Sequence, residues 1–217
     1  VDELNASTQN LGCTDEDACN YGQDEDCIFP PEGECCDGFI VSGDQSTSDE
    51  VICIPQQFTH NQTTQLAAYL FYNVYIENIP LENNDWVGAF NSNNGPDGLP
   101  DTDDDFDVCV GARKWDLNQC QNEVCDVIVY GYDGESYSEG YMLSGQIPTF
   151  KIFDASEHIY YNALLSEEEG CYYYSQGVQY YTDCSWAPYS FNSVDELNAS
   201  TQNLGCTDED ACNYGQD

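Results

Sequence analysis

An all-β fold is what this sequence predicts: an antiparallel β-sandwich preceded by a small disulfide-rich acidic connector, the pair set in a tandem or head-to-tail array. Three observations carry the prediction. Through the larger, second part of the chain, short aromatic and β-branched stretches are separated by Gly, Pro, Asn and Asp turns, the pattern of an antiparallel sandwich. Six of the thirteen cysteines fall before residue 57, among acidic clusters and few apolar residues. The segment VDELNASTQNLGCTDEDACNYGQD, which starts at Val1, recurs unchanged from Val194 to Asp217. Repetition at a fixed spacing is the signature of an array. A sequence period and an overlap between cut lengths of a continuous fibre explain the identity equally well. Both imply a polymer that extends past either end.

In chain order, residues 1–56 form the connector, which holds too little apolar surface to fold without disulfides or bound ions. Residues 57–193 form the β-module, and residues 194–217 open the next repeat. The module's first strand is LAAYLFYNVYIE. Its alternate positions place Leu66, Ala68, Leu70, Tyr72, Val74 and Ile76 on one face, with Ala67, Tyr69, Phe71, Asn73, Tyr75 and Glu77 on the other. Its Val-Tyr-Ile end selects strand over helix. DWVGAF, DVCVGA, CDVIVYGY, TFKIFD, HIYYNALL and GVQYYTD follow as strands, with turns at NNGPDG, YDGES, LSGQIP and SEEEG. Trp86 and Trp115 lie in strand blocks and read as core. Trp186, beside Cys184 and Pro188, reads as a residue of a module junction.

The charge excludes several functions. Against 41 Asp and Glu stand only Arg113, Lys114 and Lys151, for a net charge of −38. Most carboxylates must therefore be hydrated or bound to cations from outside. Nucleic acid and anionic membranes both need basic surface, which is missing here. Self-repulsion opposes compaction, and divalent metal relieves it; a solvated surface adapted to salt water is the plainer reading. The aromatic content excludes disorder, and the longest apolar run, LAAYLFY, is too short to span a bilayer.

Thirteen cysteines point to an oxidising setting, extracellular or at the cell surface. Cys206 and Cys212 repeat Cys13 and Cys19, so one period holds an odd number, eleven. At least one thiol per unit then stays reduced or pairs with its own copy across a two-fold contact. Cys109, alternating with apolar residues in DVCVGA, is the candidate. That leaves Cys13, Cys19, Cys27, Cys35, Cys36, Cys53, Cys120, Cys125, Cys171 and Cys184 as the disulfide-forming set. No His is spaced to complete a zinc site.

GCTDEDACNY resembles the Gly-Cys-Thr-Asp-x-x-Ala-Cys-Asn-Tyr motif of giant, tandemly repeated surface proteins of marine and freshwater bacteria. DWVGAF, CVGARKWD, CDVIVYGYDG and GYMLSGQIPTFKIFDAS are similar to blocks of the β-module that accompanies that motif, in matching order and over roughly half of a period. The resemblance implies an exported modular protein with calcium-dependent, adhesive or structural roles. One departure stands out. The family pattern implies a short hairpin between GAFN and CVGA, where this chain carries SNNGPDGLPDTDDDFDV.

That insertion is the clearest candidate metal site. Asp97, Asp101, Asp103, Asp105 and Asp107 crowd a short loop, and alternate carboxylates can converge on a calcium ion, which takes six to eight oxygen ligands. The Gly and terminal Glu of an EF-hand are absent, and a solvated acidic loop is the bland alternative. A second candidate is CTDEDACNYGQDEDC, with Asp15, Asp17, Asn20, Asp24 and Asp26 between Cys13 and Cys27, against a stapled linker with only surface charge. Sequons at Asn5, Asn61 and Asn198 are potential glycan acceptors.

Catalysis finds little support. His60 and His158 have no Ser or Cys motif beside them, and no Gly-rich phosphate loop is present. The sequence therefore points to a non-enzymatic structural subunit of an extracellular fibre or filament, stiffened by calcium and disulfides, whose partners are copies of itself. The alternative is a cell-surface adhesin whose sandwich binds glycans through exposed aromatics.

Overall fold

The computed structural model describes residues 13–14, 18–19, 25–31, 34–36, 38–41, 53–93, 106–120, 124–166 and 170–200. These residues hold twelve strands and no α-helix. β1 (Phe39–Val41) and β2 (Cys53–Pro55) form a two-stranded antiparallel sheet. The other ten make one sheet: β3 (Leu66–Ile76), β4 (Ile79–Pro80), β5 (Trp86–Asn93), β6 (Phe106–Lys114), β7 (Cys125–Tyr130), β8 (Thr149–Asp154), β9 (Ile159–Leu165), β10 (Cys171–Ser175), β11 (Val178–Thr182) and β12 (Phe191–Ala199). The all-β class is thus what the chain adopts, and each of the seven strand stretches read from alternation is a strand. Alternation does not indicate β1, β2, β4, β10 or β12.

The sheet order is β11-β10-β12-β9-β8-β5-β6, and β3 flanks β12 while also pairing with β4 and β7. Neighbours are antiparallel except β3 and β12, which run parallel from Ala68–Phe191 to Ile76–Ala199. The opposite edge of β12 is shared. Its Ser193 and Val194 face β10, and its Leu197 to Ala199 face β9. The sheet forks there, and it also curls. β6 comes so close to β7 that a Cβ on Gly111 would collide with the Ile128 carbonyl oxygen. Arg113 of β6 pairs with Asp126 of β7 across the same approach.

Inside the curl lie Tyr69, Phe71, Val87, Val110, Val127, Val129, Ile152 and Leu197, all fully or almost fully buried. The aromatic edges of Tyr69 and Phe71 meet Phe150. Trp86 and Trp115 are buried. Trp186 corrects the sequence reading: it is 2% exposed and belongs to the same core. Its indole N–H donates to the Val129 carbonyl at 2.9 Å. Its ring occupies the space where a Cβ on Gly131 would sit, so that glycine lets the indole in.

The two faces of β3 also differ from simple alternation. Ala67, Tyr69 and Phe71 point into the core, then Val74 does, so the buried parity changes near Tyr72 and Asn73. β12 changes parity at the same height, from Val194 to Leu197, the neighbours of Phe71 and Val74. This is where β12 exchanges β10 for β9.

The ten cysteines other than Cys109 among the described residues pair as Cys13–Cys27, Cys19–Cys36, Cys35–Cys53, Cys120–Cys125 and Cys171–Cys184. Three bridges staple the cysteine-rich segment, which docks on the module. Phe39 meets Phe153 edge to face at 5.3 Å, and Ile54 joins it over a second cluster of Phe58, Trp86, Phe90, Cys109 and Phe153.

Candidate assembly site

Strand β12 reads FNSVDELNA, and its last six residues, Val194 to Ala199, repeat Val1 to Ala6. The repeated segment therefore contributes a strand to the interior of the sheet, and β12 runs straight through the junction between Ser193 and Val194. Local chemistry holds it on both edges. Val194 is 1% exposed, and Leu197 and Ala199 are fully buried. The Ser166 N–H donates to the Glu196 carbonyl at 3.2 Å, and the Asn73 side-chain amide donates to the Asp195 carbonyl at 3.0 Å. The Asp195 carboxylate accepts the Tyr172 hydroxyl at 2.6 Å. Burial, and then that carboxylate, push the Tyr172 phenol upward, so it stays a donor.

The strand leaves the sheet at a tight turn. Glu77 and Asn78, both at positive φ, join β3 to β4 as a two-residue hairpin. The Glu77 N–H donates to the Ala199 carbonyl at 2.9 Å, Asn198 donates to the Asn78 side-chain oxygen at 3.2 Å, and the Ser200 hydroxyl reaches the Glu77 carboxylate at 3.4 Å. Ser200 itself is exposed.

A second feature is the hairpin of β10 and β11. Tyr173 stacks on Tyr180 at 5.3 Å, and Tyr174 and Tyr181 are exposed, as is Val178. The Cys171–Cys184 bridge ties the base of this hairpin to the segment leading into β12.

The predicted metal ligands fall mostly outside the described residues: Asp15, Asp17, Asn20, Asp24, Asp97, Asp101, Asp103 and Asp105 all do. Asp26 is exposed beside the Cys13–Cys27 bridge. Asp107 begins its loop's return into β6, and its carboxylate meets the Lys151 ammonium at 2.7 Å. Burial opposes that charge, but hydrogen bonds from Lys151 and Ser92 outweigh it and hold the carboxyl below the usual range. Among the described residues no cluster of three or more His, Cys, Asp and Glu side chains could hold a metal.

Of the sequons, Asn5 lies outside the described residues. Asn61 is exposed on the loop before β3, whereas its Thr63 is buried with its hydroxyl between the Gln65 and Gly131 carbonyls at 2.9 and 2.8 Å. Asn198 is half-buried within β12. Cys109 is buried, its thiol 3.6 Å from the Gly111 carbonyl, and burial pushes its pKa up to about 12.

Together these features define a disulfide-stapled all-β module, suited to an oxidising compartment, that carries one copy of a repeated strand inside its sheet. No helix among the described residues is long and apolar enough to cross a membrane. No family model, curated protein or solved structure matches the chain.

Proposed function

We propose that this protein is a structural subunit of an extracellular fibre or filament built from repeated modules. Each module is a sandwich formed by the curling sheet, joined to the next through the acidic, disulfide-stapled connector. One observation supports the reading: the first six residues of the recurring segment, Val194 to Ala199, lie inside the sheet with partners on both edges. A strand that begins one repeat and completes the sheet of the repeat before it leaves no slack at the joint. Unvarying head-to-tail contacts of that kind generate open helical polymers, with stability summed over units and their interfaces.

Calcium supports the same role. With a net charge of −38, a stacked array concentrates carboxylates that only external cations can offset. The chain acts without catalysis. Electron microscopy of the native material tests the proposal. Filaments with an axial repeat of one module plus connector are expected; dispersed, unconnected modules would refute it.

The tyrosine hairpin favours a second reading, an adhesin that binds glycans. Tyr173 and Tyr180 form a stacked, solvent-facing pair of the kind that sugar rings pack against. Glycan-array binding abolished by replacing both tyrosines with Ser would select it.

A further inference from the structure

We infer that the slot between β3 on one side and β10 and β9 on the other accepts residues Val1 to Ala6 of a second copy of this chain, parallel to β3. The inference rests on the array reading above and names its joint. The occupant follows from identity: Val1 to Ala6 have the same side chains as the Val194 to Ala199 segment seated there. The register follows too. Val1 lies beside Phe71, Glu3 beside Asn73, Leu4 beside Val74, and Ala6 beside Ile76, as their counterparts do in β12. Leu4 fills the fully buried position of Leu197, and the Asp2 carboxylate accepts the Tyr172 hydroxyl that Asp195 accepts here.

Phe191 to Ser193 stay with their own module, held by the Ala68 to Leu70 stretch of β3, and the incoming segment takes the places from Val194 to Ala199. At the far end the donor passes the Glu77–Asn78 turn, and its Ser7 takes the exposed position of Ser200. Main-chain pairing on both edges supplies affinity and the buried Val and Leu supply register, which is how strand addition to a sheet works. A one-residue slip would turn Leu4 outward.

The test uses the full chain with one copy disabled. Leu197→Asp places a charge at a fully buried position and ejects the resident segment, while Leu4 stays intact. Size-exclusion chromatography with light scattering should show this variant as concentration-dependent dimers and longer oligomers. The double variant Leu4→Asp/Leu197→Asp should be monomeric, with a melting temperature lower by about 10 °C or more. Leu4→Asp alone should match the parent. The synthetic peptide VDELNASTQN, added in excess to the double variant, should restore much of the lost melting temperature, whereas a scrambled peptide should not.

Two results would overturn the inference. A Leu197→Asp chain that stays monomeric yet keeps its stability would mean that its own first segment fills the slot. A destabilised Leu197→Asp monomer, with a double variant that ignores the peptide, would mean that the slot does not accept the segment. Filaments still present in native material alongside either result would leave the structural role standing and remove only this joint.

Discussion

Asp85 is 4% exposed just before β5 and is held by two backbone donors, Ala155 N–H at 3.0 Å and Glu82 N–H at 2.8 Å. Burial pushes its carboxyl up to about 6, against the lowering effect of those two bonds. Its folded state binds the proton more tightly than the unfolded chain does. The stability it contributes is therefore full below the ordinary Asp range and is lost as pH rises through about 6. Thermal melts between pH 4 and 7 should show the parent losing stability relative to Asp85→Asn as pH rises, with no such trend contributed by the Asn side chain. Asp85→Ala removes the acceptor for two partly buried hydrogen bonds and should cost about 1–3 kcal/mol. Cys109 gives a second prediction. A buried thiol raised to about 12 is scarcely ionised at neutral pH. Alkylation and peptide mapping should find it unmodified in the folded chain and modified after denaturation. The alternation in DVCVGA made the burial of Cys109 legible, whereas the pairing of the six connector cysteines was not, since six allow fifteen connectivities. Trp186 misleads for a different reason: its neighbours Cys184 and Pro188 look like a joint, and the space it fills is created by a glycine far away in sequence.

β12 is the element on which packing most depends. Leu197→Ala should destabilise the module by about 2–5 kcal/mol, because it opens a cavity at a fully buried site between β3 and β9. Phe191→Ala, at the same strand's exposed start, should change stability by less than about 0.5 kcal/mol. Paired chemical-denaturation curves check both. The strands with near alternation or β-branched and aromatic runs, β3, β5 to β9 and β11, could be read from residues alone. β12 could not, because Asp195 and Glu196 interrupt it and its buried parity changes between Val194 and Leu197. Two-sided pairing hides its polar main chain, while Asp195 finds Tyr172, so the strand tolerates charges that sequence reasoning takes as loop. β10 was missed because Tyr173 and Tyr174 are exposed on consecutive positions and give no alternation.

For the whole molecule, the net charge of −38 outweighs any single ion pair. Arg113–Asp126 and Lys151–Asp107 offset only two carboxylates. Raising sodium chloride from about 0.01 to 0.5 M should raise the melting temperature, since screening shortens the range of self-repulsion. Calcium at matched ionic strength should raise it further, and a chelator should reverse only that increment; identical melts in the two salts would reduce the acidic clusters to screened surface. The order of synthesis follows from the position of β12. Its partners on β3 leave the ribosome long before it does, as the 122-residue separation of Asp195 from Asn73 shows. A nascent chain halted at Ser193 has translated every other strand of the described residues yet leaves a furrow through its sheet, exposed to proteases. Synthesis of Val194 to Ala199 is then what fills that furrow, so the sheet closes only after the strands it joins have all been made.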